Sequence, residues 1–282
     1  MKRTPFLLLL TTTLFLIQCS TVPLTGRRQF NLISDNEMMS MSFSQYDQVL
    51  SESKLSQNTA QVQMVKRVGE RISAAVTNYL NAEGHSELLE GFAWEFNLIE
   101  SDELNAWCMP GGKVAFYTGI MDVCQSEAGV AVVMGHEVAH AIARHGNERM
   151  SQALGAQLGG LGLSVALADQ PEKTQSLAMM AYGIGAQYGA MLPFSRLHES
   201  EADELGLYFM AMAGYNPQEA PKFWQRMSAM SGGSIPEFMS THPSHNTRIT
   251  DLNGWMTKAT EYYNSSSANN GTTSNGKLIP KR

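Results

Sequence analysis

Residues 135–146 read GHEVAHAIARHG, which gathers three histidines and a glutamate inside an apolar stretch that begins near Ala128. On a helix, at roughly 100° per residue, His136 and His140 lie about 40° apart on one face and one turn apart. Both imidazoles then reach a single cation. Paired imidazoles suit zinc, and a catalytic zinc takes three protein ligands and keeps one position for water. Glu137 adjoins that face and is placed to take the water's proton, while the cation lowers the water's pKa and polarises a carbonyl. The chemistry is metal-assisted hydrolysis. An accidental H-E-x-x-H is the competing reading, and the apolar helix around the motif weighs against it.

The third ligand is missing from this stretch. His145 lies nine residues beyond His136, roughly 180° round a continuous helix, and so faces away. The H-x-x-G-x-x-H continuation of the metzincins also fails, because Ala143 and Gly146 stand at those two positions. The other dense cluster of candidates is RLHESEADELG, residues 196–206. Glu199 and Asp203 are four apart and share a helix face, whereas Glu201 points away from it. One carboxylate could bind the metal while its acidic neighbour accepts a hydrogen bond from a ligand histidine. A solvated acidic helix surface is the bland alternative.

The elements that must position these residues follow from periodicity. VQMVKRVGERISAAVTNYL places Val62, Val65, Val68, Ile72, Val76 and Leu80 along one side of a helix. WEFNLIE alternates as a strand, and Pro-Gly-Gly turns the chain into a second strand, KVAFYT. The motif helix is expected from about Ser126 to about Arg149. Residues 151–192 hold two small-residue apolar runs split by ADQPEKTQ, each shorter than a membrane span, which predicts a helical hairpin packed on the core. Further helices run to Tyr263, and the tail from 264 to 282 has the composition of disorder.

The 282-residue chain is long enough for one substantial core. Its net charge of −6 argues against a nucleic-acid partner. Its 18 methionines read as adaptable core filler. Lys2 and Arg3 precede an apolar run, Phe6 to Ile17, of signal-peptide length. That run ends in LIQC, which looks like a lipobox that would lipidate Cys19, although Gln18 departs from the usual small residue. Ser20 in place of Asp favours the outer membrane. Residues 1–18 are therefore expected as a signal peptide, 19–34 as a tether and 35–263 as one catalytic domain. Cys108 and Cys124 then remain, as a disulfide or as two buried thiols.

Taken together, LTGRRQFNLIS, NAWCMPGGKVAFYTGI, VVMGHEVAHAIARHG, SRLHESEADELG and THPSHNTRI resemble peptidase family forty-eight, the gluzincins of the HtpX and CAAX prenyl endoprotease group, and most closely its periplasmic lipoprotein branch. The resemblance runs from about Thr21 to Met256. It implies an α+β, mainly helical zincin fold, with an active-site helix and a small sheet whose edge strand binds substrate. It implies one zinc per chain on His136, His140 and Glu199, with Glu137 as general base and Asp203 behind a ligand. It makes Lys113, Val114, Ala115, Phe116 and Tyr117 the substrate-pairing edge strand. His242 would stabilise the oxyanion or occupy the open zinc position, and Arg248 would orient the site; a purely structural turn competes with both roles. Trp107 stands where relatives often carry a smaller apolar residue.

The function expected on these grounds is zinc endopeptidase. It would be lipid-anchored on the periplasmic face of the bacterial outer membrane and act on misfolded or misassembled envelope proteins. The alternative is a periplasmic assembly chaperone or adaptor for outer-membrane proteins, with latent proteolysis.

Overall fold

The computed structural model describes residues 19–22, 25–230, 238, 242 and 247–270. The signal-peptide expectation therefore lies outside the described residues. In chain order the elements begin with strands β1 (Cys19–Thr21) and β2 (Arg28–Phe30) and helices α1 (Asp35–Glu52) and α2 (Thr59–Glu83). Strands β3 (Glu95–Ile99), β4 (Ala106–Met109) and β5 (Lys113–Tyr117) follow. Then come α3 (Thr118–Cys124), α4 (Glu127–Ile142), α5 (His145–Ala166), α6 (Glu172–Ala186), α7 (Leu192–Met212), α8 (Glu219–Met230) and α9 (Arg248–Asn270). The fold is mainly helical with small sheets.

The chain divides into two compact units where one domain was expected. Of the described residues, those within 39–143 and 196–282 form one, and those within 1–38 and 144–195 form the other. In the first unit, α2 begins on Asn58, whose side chain accepts the Gln61 N–H, and ends at Gly84 with φ 79°. Such a left-handed stop is cheap only for glycine. Val65, Val68, Ile72, Val76 and Leu80 are buried as the spacing predicts, and Val62 is half-buried at the end of the row. This apolar side packs on α4. Gly69 lets β3 approach α2, since a Cβ there would lie 2.3 Å from the Phe96 ring.

The three-stranded sheet has the order β3-β5-β4. β5 pairs in parallel with β3 and antiparallel with β4. Residues 113–117 are thus the central strand and not the edge strand that the sequence suggested, because the Pro-Gly-Gly turn folds β4 back against one side while β3 takes the other. Both rows of their backbone hydrogen bonds are used. Residues 54–56 cover the outer side of β3 through the Leu55–Ile99 bridge and the Ser56 and Glu100 amides. Within this three-stranded sheet the open edge is the outer side of β4.

α4 is capped by Ser126, whose hydroxyl accepts the Gly129 N–H at 3.1 Å, and every residue from Gly129 to Ile142 is buried. It stops earlier than the apolar pattern implied. Arg144 adopts φ 56°, and a separate helix, α5, starts at His145. The expected continuous helix to Arg149 is therefore two helices. A left-handed residue breaks the hydrogen-bond ladder.

In the second unit, the described residues of the segment expected as a tether, 19–34, are built into the structure. β1 and β2 form an antiparallel ladder, Cys19 opposite Phe30. Glu148 on α5 receives two hydrogen bonds from the Arg27 guanidinium, at 3.1 and 2.8 Å, and one from the Phe30 N–H. Ser151 accepts the Leu32 N–H at 2.8 Å, and Asn147 donates to the Ile33 carbonyl. The RRQFNLI segment is thereby strapped over the first turns of α5. Residues 151–192 do form a hairpin, but its large apolar side chains are exposed and not packed on a core. At the other end of the chain α9 continues to Asn270, beyond Tyr263, and residues 271–282 lie outside the description.

Candidate metal centre

Two helices and two late residues build the site. α4 supplies His136, Glu137 and His140; α7 supplies Glu199 and Asp203; His242 and Arg248, the latter at the start of α9, complete it. The crossing of α4 and α7 depends on two glycines. A Cβ on Gly206 would lie 2.7 Å from the His136 backbone nitrogen, and one on Gly135 would lie 2.6 Å from the Gly206 carbonyl oxygen. Backbone cannot yield as a flexible side chain does. Gly206→Ala is therefore expected to cost about 2 kcal/mol or more and to weaken metal retention, measured by denaturation and metal content. Gly254→Ala, where nothing lies within 4 Å, is the control and should be neutral or stabilising.

His136, His140, Glu199 and His242 are all buried and offer donor atoms that lie within 4.8 Å of one another. His136 Nε2 is 3.1 Å from His140 Nε2 and 3.4 Å from Glu199 Oε2. His140 Nε2 is 3.4 Å from Glu199 Oε1. His242 Nδ1 is 3.2 Å from His136 Nε2 and 3.1 Å from Glu199 Oε2. A tetrahedral zinc with bonds of about 2.0–2.1 Å needs neighbouring donors about 3.3 Å apart. The donor spacings match that edge length, and the set of imidazoles and one carboxylate suits the ion. The group fits one metal ion.

Surrounding charges hold the donors in orientation. Asp203 Oδ1 lies 3.0 Å from His136 Nδ1, which turns Nε2 toward the other donors. Arg248 donates through Nε to Asp203 and through a second nitrogen to Glu199 Oε2 at 3.1 Å. Its guanidinium also stacks 3.8 Å from the Trp224 ring centre. Burial opposes charge on His136, but hydrogen bonds to Asp203 and Glu199 outweigh it and lift its pKa to about 10. Burial likewise opposes charge on Glu199, yet the neighbouring histidines, His140 first, pull its pKa well below the usual carboxylate range. Without a metal the centre binds protons, which a cation must displace.

Glu137 is buried beside the donors without being one of them, and its Oε1 lies 3.5 Å from His242 Nε2. Glu201 is buried but also outside the donor group, so the acidic run on α7 is not a solvated surface. His145 is buried at the start of α5 and is not among the donors either. Its exclusion by helical angle presumed a continuous helix, whereas the chain turns at Arg144.

β4 packs on α4. Burial, followed by the charge of Glu137, raises the Cys108 thiol well above its ordinary pKa. Cys108 and Cys124 are free thiols. Trp107 is fixed edge-on against Tyr46 and donates to the Tyr117 hydroxyl at 3.3 Å.

Two supporting aromatics were not singled out from the sequence. Trp224 lies beneath Arg248 and against the rings of His136 and Phe238. Phe238 in turn packs on the His242 ring at 4.7 Å between centroids. Trp224 lies on the buried side of α8, and nothing in its local spacing ties it to the site.

Residues 56–256 match the model of peptidase family M48. The chain is 34% identical over 243 residues to the mitochondrial metalloendopeptidase OMA1 of Schizosaccharomyces pombe, covering 84% of this chain and 66% of that protein. It is 34% identical over 189 residues to the Saccharomyces cerevisiae protein of the same name, covering 64% of this chain and 52% of the other. It is also 30% identical over 187 residues to the beta-barrel assembly-enhancing protease of Escherichia coli, covering 62% and 38% respectively. The aligned stretches thus span between 38% and 66% of these relatives' lengths. With a family match across residues 56–256 and a donor group that accommodates one metal ion, the chain belongs to peptidase family M48.

Proposed function

We propose that this protein is a zinc-dependent endopeptidase of the bacterial envelope, held on the periplasmic face of the outer membrane by lipid on Cys19, that cuts misfolded or misassembled envelope proteins. The observation that carries the enzymatic reading is the buried donor group at tetrahedral spacing with the Glu137 carboxylate beside it. Zinc, when bound, supplies a Lewis acid for the peptide carbonyl and lowers the pKa of water at the site. His136, His140 and Glu199 would hold it, with Asp203 fixing the His136 tautomer. Glu137 takes the proton of the attacking water and passes it to the leaving amine. Arg248 keeps Asp203 and Glu199 in place from a platform on Trp224.

His242 fills the fourth corner of the donor group and closes it. For cleavage its ring must leave that corner, after which Nε2, facing Glu137, is the group nearest the reacting atoms. The free edge of β4, residues 106–109, replaces residues 113–117 as the strand that pairs with an extended substrate. The outer side of β4 is the open edge of the three-stranded sheet, and the strand packs on the helix that carries Glu137.

The location rests on LIQC after a basic n-region and an apolar run. The bacterial relative's name, which joins a protease to β-barrel assembly, supports envelope proteins as substrates. The chain matches only part of each relative, 66% of the fission-yeast mitochondrial protein and 38% of the bacterial one. Casein cleavage by the purified protein should vanish on chelation and return with zinc; cleavage that survives chelation would sink the enzymatic reading. Cys19→Ala should lower the share of the protein in outer-membrane fractions. An undiminished share after a high-salt wash would sink the anchor. A second reading, an assembly aid with latent proteolysis, is favoured by the closed position of His242.

A further inference from the structure

The hairpin of α5 and α6 is built inside out for water. On α5, Met150, Leu154, Leu158, Leu161 and Val165 are all exposed, Val165 at 69%. At roughly 100° per residue they fall within about 80° of one another, a single stripe. On α6, Leu177, Met180 and Ile184 form a second exposed row. The two helices meet instead through small residues on the opposite side. Tyr182 donates to the Ala156 carbonyl at 2.7 Å, a Cβ on Gly159 would strike the Tyr182 hydroxyl, and one on Gly160 would touch the ring.

A water-facing hairpin turns its large apolar residues inward, because burying them supplies the driving force. In a lipid environment that force is absent between helices, so they associate through small residues and turn large ones outward. Between residues 150 and 192 the only charged residues are Asp169, Glu172 and Lys173, all at the connection between the helices. No helix among the described residues is long and apolar enough to cross a membrane.

We propose that the α5–α6 hairpin is a membrane-docking element that sinks into one leaflet of a bilayer, where lipid meets the two apolar rows on its opposite sides. The chain outside the description points to the same occupant. Residues 1–18 end in an apolar run that leads into Cys19, and β1, which starts at Cys19, belongs to the same compact unit as the hairpin. β1 pairs with β2, and β2 packs on α5. Lipid on Cys19 therefore enters the structure on the unit that presents the rows, and the inference rests on that anchor reading for its direction. One lipid signal gives marginal binding, and a second strengthens it.

The test uses the mature chain from Cys19 onward, purified with its lipid, and the same chain carrying Cys19→Ala and no lipid. Cys108 is replaced by Ser in both, and Val165→Cys carries an environment-sensitive fluorophore. Vesicles of phosphatidylethanolamine and phosphatidylglycerol, with and without nitroxide quenchers on the acyl chains, are the probe. In the vesicle-bound lipidated protein, quenching of more than half the emission is expected. Bound but unquenched protein overturns the hairpin proposal and leaves the anchor standing. Equal vesicle binding with and without lipid sinks the anchor, while quenching still decides the hairpin.

A spectral change that depends on protein concentration and needs no vesicles means that a second copy covers the rows, and overturns the proposal. In the non-lipidated chain, Leu158→Ser with Leu161→Ser should lower vesicle binding by about tenfold or more. Unchanged binding by that variant overturns the proposal too.

Discussion

Replacing Glu137 with Gln is expected to reduce casein cleavage by a factor of about 10² to 10⁴ while zinc content and thermal stability stay as in the wild type. The side chain is buried beside the donors but is not one of them, so the amide removes a proton acceptor and no ligand. Gln matches Glu in shape, which keeps the packing around the ring of His242. Cleavage, metal content by elemental analysis and melting temperature together check the result. Loss of zinc along with activity would make Glu137 a ligand and overturn its role as base. The same variant separates the two functional readings. If Glu137→Gln restored envelope assembly in a deletion strain as well as wild type does, proteolysis would not be the main work of this protein.

Replacing Glu199 with Ala should empty the metal site and abolish cleavage, whereas Glu201→Ala should leave the metal bound. Glu199 is the one carboxylate in the donor group, and both of its oxygens face histidine nitrogens at 3.1 to 3.4 Å. Its removal takes one of the three ligands proposed for zinc. It also leaves Arg248 with one fewer buried anionic partner, since that guanidinium is shared between Glu199 and Asp203. Truncating one member of a buried ion-pair network costs about 3–5 kcal/mol. The variant should therefore melt lower even when both proteins are stripped of metal. Zinc retained by Glu199→Ala and lost from Glu201→Ala would reverse the ligand assignment.

Much of this site was legible along the chain because its chemistry is local. His136 and His140 are one turn apart, and the period of the α-helix puts them on one face whatever surrounds them. Glu199 and Asp203 share a face for the same reason. The resemblance named the carboxylate ligand, and the structure brings that residue to the two histidines. The apolar row of α2 is likewise written in a 3.6-residue period.

What the sequence left undecided depends on contacts between distant segments. Strand order in a three-stranded sheet is not a property of any one strand, so KVAFYT read equally well as edge or centre; pairing with both β3 and β4 makes it the centre. The end of the motif helix turned on the backbone of Arg144, whose left-handed conformation no local pattern announces and whose side chain pairs with Asp35 at 2.6 Å. The position of His242, 106 residues beyond His136, at the fourth corner arises because its ring packs on Phe238. The exposure of the hairpin's apolar rows was hidden for the opposite reason. Periodicity shows that large residues share a face, but only the tertiary structure shows that the small residues, and not that face, make the contact between the helices.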